Sequence, residues 1–164
     1  MLLNGVSGRK FHCRSGVRQG DPLSPLIFLI AIDLLLAAIN DAFRQGKIDL
    51  PFPCVGMTDY PVIQYIDDSI LVLPACPLQV SLIKEILTDY ASLIGLKINF
   101  QKSTLIPINL DETESTSLAN IFGCSMGHMP FTYLGLPLGR SKPSVQDLMP
   151  IVCRVKRRLT PTMR

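Results

Sequence analysis

The longest apolar stretch is "PLIFLIAIDLLLAAI", residues 25 to 39, interrupted only by Asp33. Asp21 and Ser24 precede it as candidate N-caps, Pro22 and Pro25 suit a first helical turn, and Gly46 is a stop signal. The pattern predicts a helix of about five turns from Ser24 to Phe43. Apolar nearly all round, it should be covered on most sides. The run itself is shorter than the roughly 20 residues of a membrane span, so a buried helix is expected and not an anchor. A second periodicity follows Pro77, with Leu78, Leu82, Ile86, Tyr90 and Leu93 at spacings of three and four up to Gly95. That predicts an amphipathic helix packed on a sheet and closed by a left-handed glycine.

Shorter runs fill the remainder. "LLNGVSGRKFHCRSG" places the turn dipeptides Asn4-Gly5 and Ser7-Gly8 between brief apolar pairs and reads as a hairpin or extended entry. Residues 47–61 carry Pro51, Pro53, Gly56 and Pro61 and read as a loop. Val62-Ile63 and Ile70-Leu71-Val72-Leu73 then read as the strands of a hairpin. "LKINFQKSTLIPI" (96–108) is a strand pair or one bent strand, and "DETESTSLANIFG" (111–123) is a helix with acids in its first turn. "FTYLGLPLG" (131–139) is a strand entering a Gly-Pro turn, and "SVQDLMPIVCRVKRRL" (144–159) is a basic helix broken or delayed by Pro150. Neither an internal repeat nor a low-complexity tract is visible. The class is α+β, a largely antiparallel sheet packed on helices.

With 164 residues and 48% hydrophobic content, the chain has material for one compact domain or a piece of one. The net charge of +3 is unevenly spread: residues 1–20 hold four basic side chains and no acid, and residues 140–164 hold seven against Asp147 alone. Basic ends around an acidic centre suit a polyanion gripped at its flanks and a metal between. The cysteines at 13, 54, 76, 124 and 153 form no CxxC pair, so buried or idle reduced thiols are expected rather than disulfides or zinc, and His12 and His128 read as surface or loop residues. No secretory signal is visible at the N-terminus.

Asp67 and Asp68 lie side by side between the two hairpin strands. Two readings are open for them. Aspartate in a short turn commonly bonds nearby backbone N–H groups. Alternatively, two carboxylates at a rigid tip hold a divalent cation beside substrate phosphates.

Four segments occur in one order: "RQGDPLSPLIFLIAID" (18–33), "QYIDDSILV" (64–72), "GLKINFQKS" (95–103) and "YLGLPLG" (133–139). Together they resemble the palm of a reverse transcriptase of the non-LTR (LINE-type) retrotransposon class, the last two being similar to those of plant elements. Tyr65-Ile66-Asp67-Asp68 resembles the family's Tyr-x-Asp-Asp box. The resemblance implies an RNA-directed DNA polymerase that adds deoxynucleotides to a primer 3′ end by two-metal chemistry with Mg²⁺ (or Mn²⁺). Its partners would be an RNA template, a DNA primer and deoxynucleoside triphosphates, with no membrane involved, inside the cell in nucleus or cytoplasm.

By the same resemblance Asp67 would be the primary metal ligand and Asp68 a supporting carboxylate. Tyr65 would pack near the primer end or the incoming nucleotide, and Ile66, at the variable position, would narrow the space there. Arg18, Gln19 and Gly20 would meet template or nucleotide, and Lys102 would sit near the triphosphate and protonate the leaving pyrophosphate. "YLGLPLG" would be the primer grip, with Leu134 and Leu136 in the core. Residues 1–139 would be a partial palm and 140–164 the start of a truncated thumb, where Lys156, Arg157 and Arg158 would meet backbone phosphates. A further metal-binding aspartate is expected upstream of the Gly20 motif, and residues 1–17 contain no acid. The chain alone is therefore expected to be inactive. The other readings are a non-catalytic nucleic-acid-binding remnant and a structural remnant.

Overall fold

The computed structural model describes residues 2–3, 6–7, 20–53 and 56–159. They belong to two units, Met1–Ile98 and Asn99–Arg164.

In the first unit Leu2–Leu3 (β1) and Val6–Ser7 (β2) pair antiparallel, the hairpin that the opening residues predict. The long apolar run forms α1, Ser24–Arg44. Asp21 holds the turn that enters it: the Leu23 N–H donates to Asp21 Oδ1 at 2.9 Å and the Ser24 N–H to the Asp21 carbonyl at 3.0 Å. Ser24 is thus already helical, and Leu23 occupies the cap position without a side-chain bond. Val62–Tyr65 (β3) and Asp68–Leu71 (β4) form the expected hairpin, with Tyr65 opposite Asp68. Pro77–Ile94 (α2) ends at Gly95, left-handed at φ 71°.

Two expectations about burial fail here. Ile32, Leu35, Ile39 and Ala42 bury one stripe of α1, but Leu26, Ile27, Leu29, Ile30 and Leu34 stay at least half exposed. The covering groups engage the other end of the helix: the Asn40 side chain takes the Tyr60 N–H, the Phe43 ring meets the Tyr60 ring edge-on, and Arg44 pairs with Asp59. At 21 residues α1 is also longer than the run that suggested it, and by length and composition alone it is able to cross a membrane. On α2 the buried face is Val80, Ile83, Leu87, Tyr90 and Ala91, packed against α1, whereas Leu78 and Leu93 are 81% and 85% exposed. Both stripes satisfy helical spacing, and the neighbour that decides between them is a helix and not a sheet.

Tyr60 joins the hairpin to α1, because its hydroxyl donates to the Val72 carbonyl at 2.8 Å just past β4. Burial, with the Asp49 charge as a smaller cause, pushes its pKa from 10.0 up to about 12. A raised folded-state pKa means that this stability is complete below pH 10 and drains away as pH rises through about 12. The stability gap between the wild type and Tyr60→Phe should therefore narrow from pH 9 to pH 12 in urea titrations. A constant gap would mean that the hydroxyl is not sequestered.

Where the second unit begins, the strand pair or bent strand expected over 96–108 is not formed at 96–103. The Asn99 carbonyl accepts the Lys102 and Ser103 N–H groups at 3.1 Å, and Asn99 Oδ1 also accepts from Lys102 N, so the chain turns there. The strand is reduced to Thr104–Leu105 (β5), which pairs parallel with Ser125–Met126 (β6). Between them runs α3, Glu112–Phe122, with acids in its first turn and Gly123, φ 83°, at its end as predicted, and with Asp111 Oδ1 capping the Glu114 N–H at 2.7 Å. Leu118, Ala119 and Ser115 are its buried residues. Phe131–Tyr133 (β7) and Leu136–Leu138 (β8) form an antiparallel hairpin whose turn, Leu134-Gly135, has φ of 51° and 84°. Leu134 and Leu136, expected in the core, are 49% and 50% exposed.

Val145–Leu159 (α4) runs through Pro150 without a break, contrary to the sequence reading. Its start is fixed by a reciprocal cap: Ser144 N–H and Oγ both donate to Asp147 Oδ2, at 2.8 and 2.7 Å, and the Asp147 N–H returns to Ser144 Oγ at 3.3 Å. These bonds, the hydroxyl's foremost, hold the Asp147 carboxyl below its usual pKa. The described strands thus form four separate two-stranded pairs, three antiparallel and one parallel, among four helices. The class is α+β.

Candidate active-site hairpin

The β3–β4 register leaves Ile66 and Asp67 as a two-residue turn, with Asp68 the first residue of the returning strand. Tyr65, Ile66, Asp67 and Asp68 are all exposed. A turn this short demands left-handed backbone, and Ile66 supplies it at φ 51°. For a β-branched residue that conformation costs roughly 1–2 kcal/mol. Something other than local preference holds the turn.

The aspartates do not. Elsewhere in the chain aspartates serve the backbone: Asp21 accepts from Leu23, Asp111 from Glu114 and Asp147 from Ser144. The side chains of Asp67 and Asp68 accept no hydrogen bond and form no ion pair among the described residues. Of the two readings open in the sequence, turn chemistry has no support in the geometry. The turn is bonded instead by Gln64, whose Nε2 donates to the Ile66 carbonyl at 2.8 Å while its Oε1 accepts from Ser69 Oγ at 2.6 Å. Sequence reasoning passed over Gln64, since a polar residue in a half-exposed strand carries no signal by itself.

Exposed carboxylate oxygens are the donor type that Mg²⁺ and Mn²⁺ prefer, and such ions take about six ligands. The pair fits in kind and supplies part of the number. Among the described residues no group of three or more His, Cys, Asp or Glu side chains converges on one point. Any remaining oxygens would come from substrate, water, backbone or other protein segments.

Of the other predicted residues, Gly20 is exposed, with φ 86° and open space where a side chain would be. Arg18 and Gln19 lie outside the described residues, as do His12, Cys13 and Cys54. Lys102 belongs to the second unit, exposed in the Asn99 turn. Lys156, Arg157 and Arg158 are exposed on α4 but do not share one face, because consecutive helical residues diverge by about 100°. Arg154, three and four residues before Arg157 and Arg158, completes their face, and its spacing was the available signal. A methyl group added at Gly135 would stand 3.3 Å from Arg154 Nη1, so the guanidinium lies over the β7–β8 turn. A cavity of about 650 Å³ in the second unit is bordered by Pro107, Met126, His128, Pro130, Arg140 and Lys142 among others, and by none of the predicted site residues. Cys76, Cys124 and Cys153 form no disulfide, and His128 is an exposed loop residue, as expected.

Residues 1–138 match the family described as reverse transcriptase (RNA-dependent DNA polymerase). Over 104 residues, 63% of the chain, the sequence is 30% identical to the retrovirus-related Pol polyprotein from type-1 retrotransposable element R2 of Popillia japonica. Over 106 residues, 64% of the chain, it is 32% identical to the corresponding polyprotein from type-2 retrotransposable element R2DM of Drosophila melanogaster. The chain belongs to the non-LTR retrotransposon reverse transcriptases. This reverse transcriptase segment spans 14% and 9% of the lengths of those two relatives. No solved structure matches it. The family match takes in the Asp67-Asp68 hairpin and ends at Leu138, the last residue of β8.

Proposed function

We propose that this segment is the carboxylate-bearing part of a polymerase palm that extends a DNA primer on an RNA template, within an intracellular protein longer than these residues. The observation that carries the reading is the pair Asp67-Asp68: two exposed aspartates, adjacent at a hairpin tip inside the family match, neither side chain bonded to another described residue. Asp67, in the turn itself, is the primary ligand for Mg²⁺ or Mn²⁺, and Asp68 supports it. When bound, the ions supply activation of the primer 3′-hydroxyl and charge stabilisation at the leaving pyrophosphate. Tyr65 and Ile66, exposed beside the pair, pack on the primer end or the incoming nucleotide. Arg18, Gln19 and Gly20 contact template or nucleotide, the glycine allowing close backbone approach. Lys102 serves the triphosphate as a proton donor. Residues 1–139 act as palm and 140–164 as the start of a thumb, where Lys156, Arg157 and Arg158, with Arg154, meet backbone phosphates.

Primer extension on poly(rA)/oligo(dT) with Mg²⁺ or Mn²⁺ tests this reading. Because no third acidic, His or Cys side chain joins the pair among the described residues, the 164-residue chain alone should give no extension. A chimera in which this chain replaces the matched segment of the Drosophila polyprotein should extend the primer. Extension by neither, from a chimera that is folded and binds template, would leave a nucleic-acid-binding remnant.

A further inference from the structure

The Ile66 backbone is left-handed although its side chain disfavours that state. Within the turn that the Tyr65–Asp68 pairing closes, its carbonyl takes a side-chain hydrogen bond from Gln64. Gln64 and Ser69 face each other in register across β3 and β4, and the Ser69 hydroxyl donates to Gln64 Oε1 at 2.6 Å. With its oxygen fixed on that side, the planar carboxamide turns its N–H toward the tip, where it meets the Ile66 carbonyl at 2.8 Å. That carbonyl belongs to the peptide joining Ile66 to Asp67. Fixing the plane of this peptide fixes the direction in which the chain leaves for Asp67. No carboxylate of the tip competes for the job, since neither aspartate side chain bonds a described group.

We propose that Gln64, clamped by Ser69, is the positioning residue of the Asp67-Asp68 pair: it keeps Ile66 left-handed and so sets how Asp67 is presented to a divalent cation. The proposal rests on the metal-holding reading given above. Gln64 does not touch the cation or the substrate. It acts through the backbone of the turn, and its loss releases the direction of a ligand without removing the ligand.

The test uses the full 164-residue chain, isotope-labelled for NMR, with Mn²⁺ alone as the probe. Three quantities are read: the Ile66 HN–Hα coupling, which reports φ; paramagnetic broadening at Asp67 and Asp68 as Mn²⁺ is added; and cross-strand contacts between Ile63 and Ile70. Gln64→Met keeps the length of the side chain and removes its donor. It should average the Ile66 coupling and weaken Mn²⁺ binding about fivefold, the ratio carried by one net hydrogen bond, while the Ile63–Ile70 contacts persist. Adding Ile66→Asn, a residue that accepts left-handed backbone, should restore most of the affinity.

An unchanged coupling and unchanged broadening in Gln64→Met would overturn the proposal. So would loss of the Ile63–Ile70 contacts without rescue by Ile66→Asn, since Gln64 would then hold the whole hairpin together and not its tip. If the wild-type chain shows no broadening at Asp67 and Asp68 while the Ile66 coupling still responds to Gln64→Met, the metal-holding reading fails and the positioning of the turn stands.

Discussion

Asparagine at position 67 should lower primer extension by the chimeric polymerase about a hundredfold to a thousandfold, with KM for the incoming nucleotide changed far less. Asp67→Asn preserves size and one oxygen and removes the charge. Cation-mediated stabilisation of a phosphoryl-transfer transition state is worth several kcal/mol, and each 1.4 kcal/mol is a factor of ten in rate. The fold should not notice. The Asp67 carboxylate serves no backbone group among the described residues, so thermal melting should move by no more than an exposed substitution allows, roughly ±0.5 kcal/mol. Asp68→Asn should cost less than Asp67→Asn. If Asp68→Asn proves the more damaging, the primary ligand is Asp68. If both variants keep full activity, the pair holds no metal and the reading of the hairpin fails.

Truncating Ile83 to alanine should destabilise the first unit by about 3 kcal/mol, the middle of the range for a fully buried isoleucine. Ile83 is completely buried on the face of α2 that meets α1, where Ile39 is likewise fully buried. Loss of the branched side chain removes transfer free energy and leaves a void between the two helices. Leu78→Ala, five residues earlier and 81% exposed, should change stability by less than about 0.5 kcal/mol. Urea unfolding of the two variants side by side decides which stripe of α2 is the core stripe. A larger loss for Leu78→Ala would restore the phase that spacing alone suggested.

That pair of variants marks where the sequence was legible and where it was not. Helix limits were written in single residues with strong backbone preferences: Gly95 and Gly123 ended α2 and α3, and Asp111 began α3. The hairpin tip was legible for the same reason, as two strand-forming runs flanked a gap that only a turn could fill. Rotational phase was not legible, because two apolar stripes on α2 obey the same period and only the neighbour chooses. The first part of the strand pair or bent strand expected over 96–108 was lost to a local competitor, the Asn99 side chain, which takes the Lys102 N–H for a turn. Pro150 looked like a break and was absorbed into α4, whose start is secured by the Ser144–Asp147 cap. At the site, Asp67 and Asp68 were visible from their adjacency alone, but Gln64 was not. Its role depends on where a side-chain amide lies relative to the Ile66 carbonyl, and no spacing encodes that.

The bare flank of α1, from Leu26 to Leu34, has a calorimetric consequence. Apolar surface already hydrated in the native state contributes nothing to the heat-capacity increment of unfolding, which averages about 12–15 cal/mol/K per residue in well-covered domains. This chain should fall below that average. A small increment flattens the curve of free energy against temperature, so stability should vary little between a cold room and body heat, with a shallow maximum and a drawn-out melt.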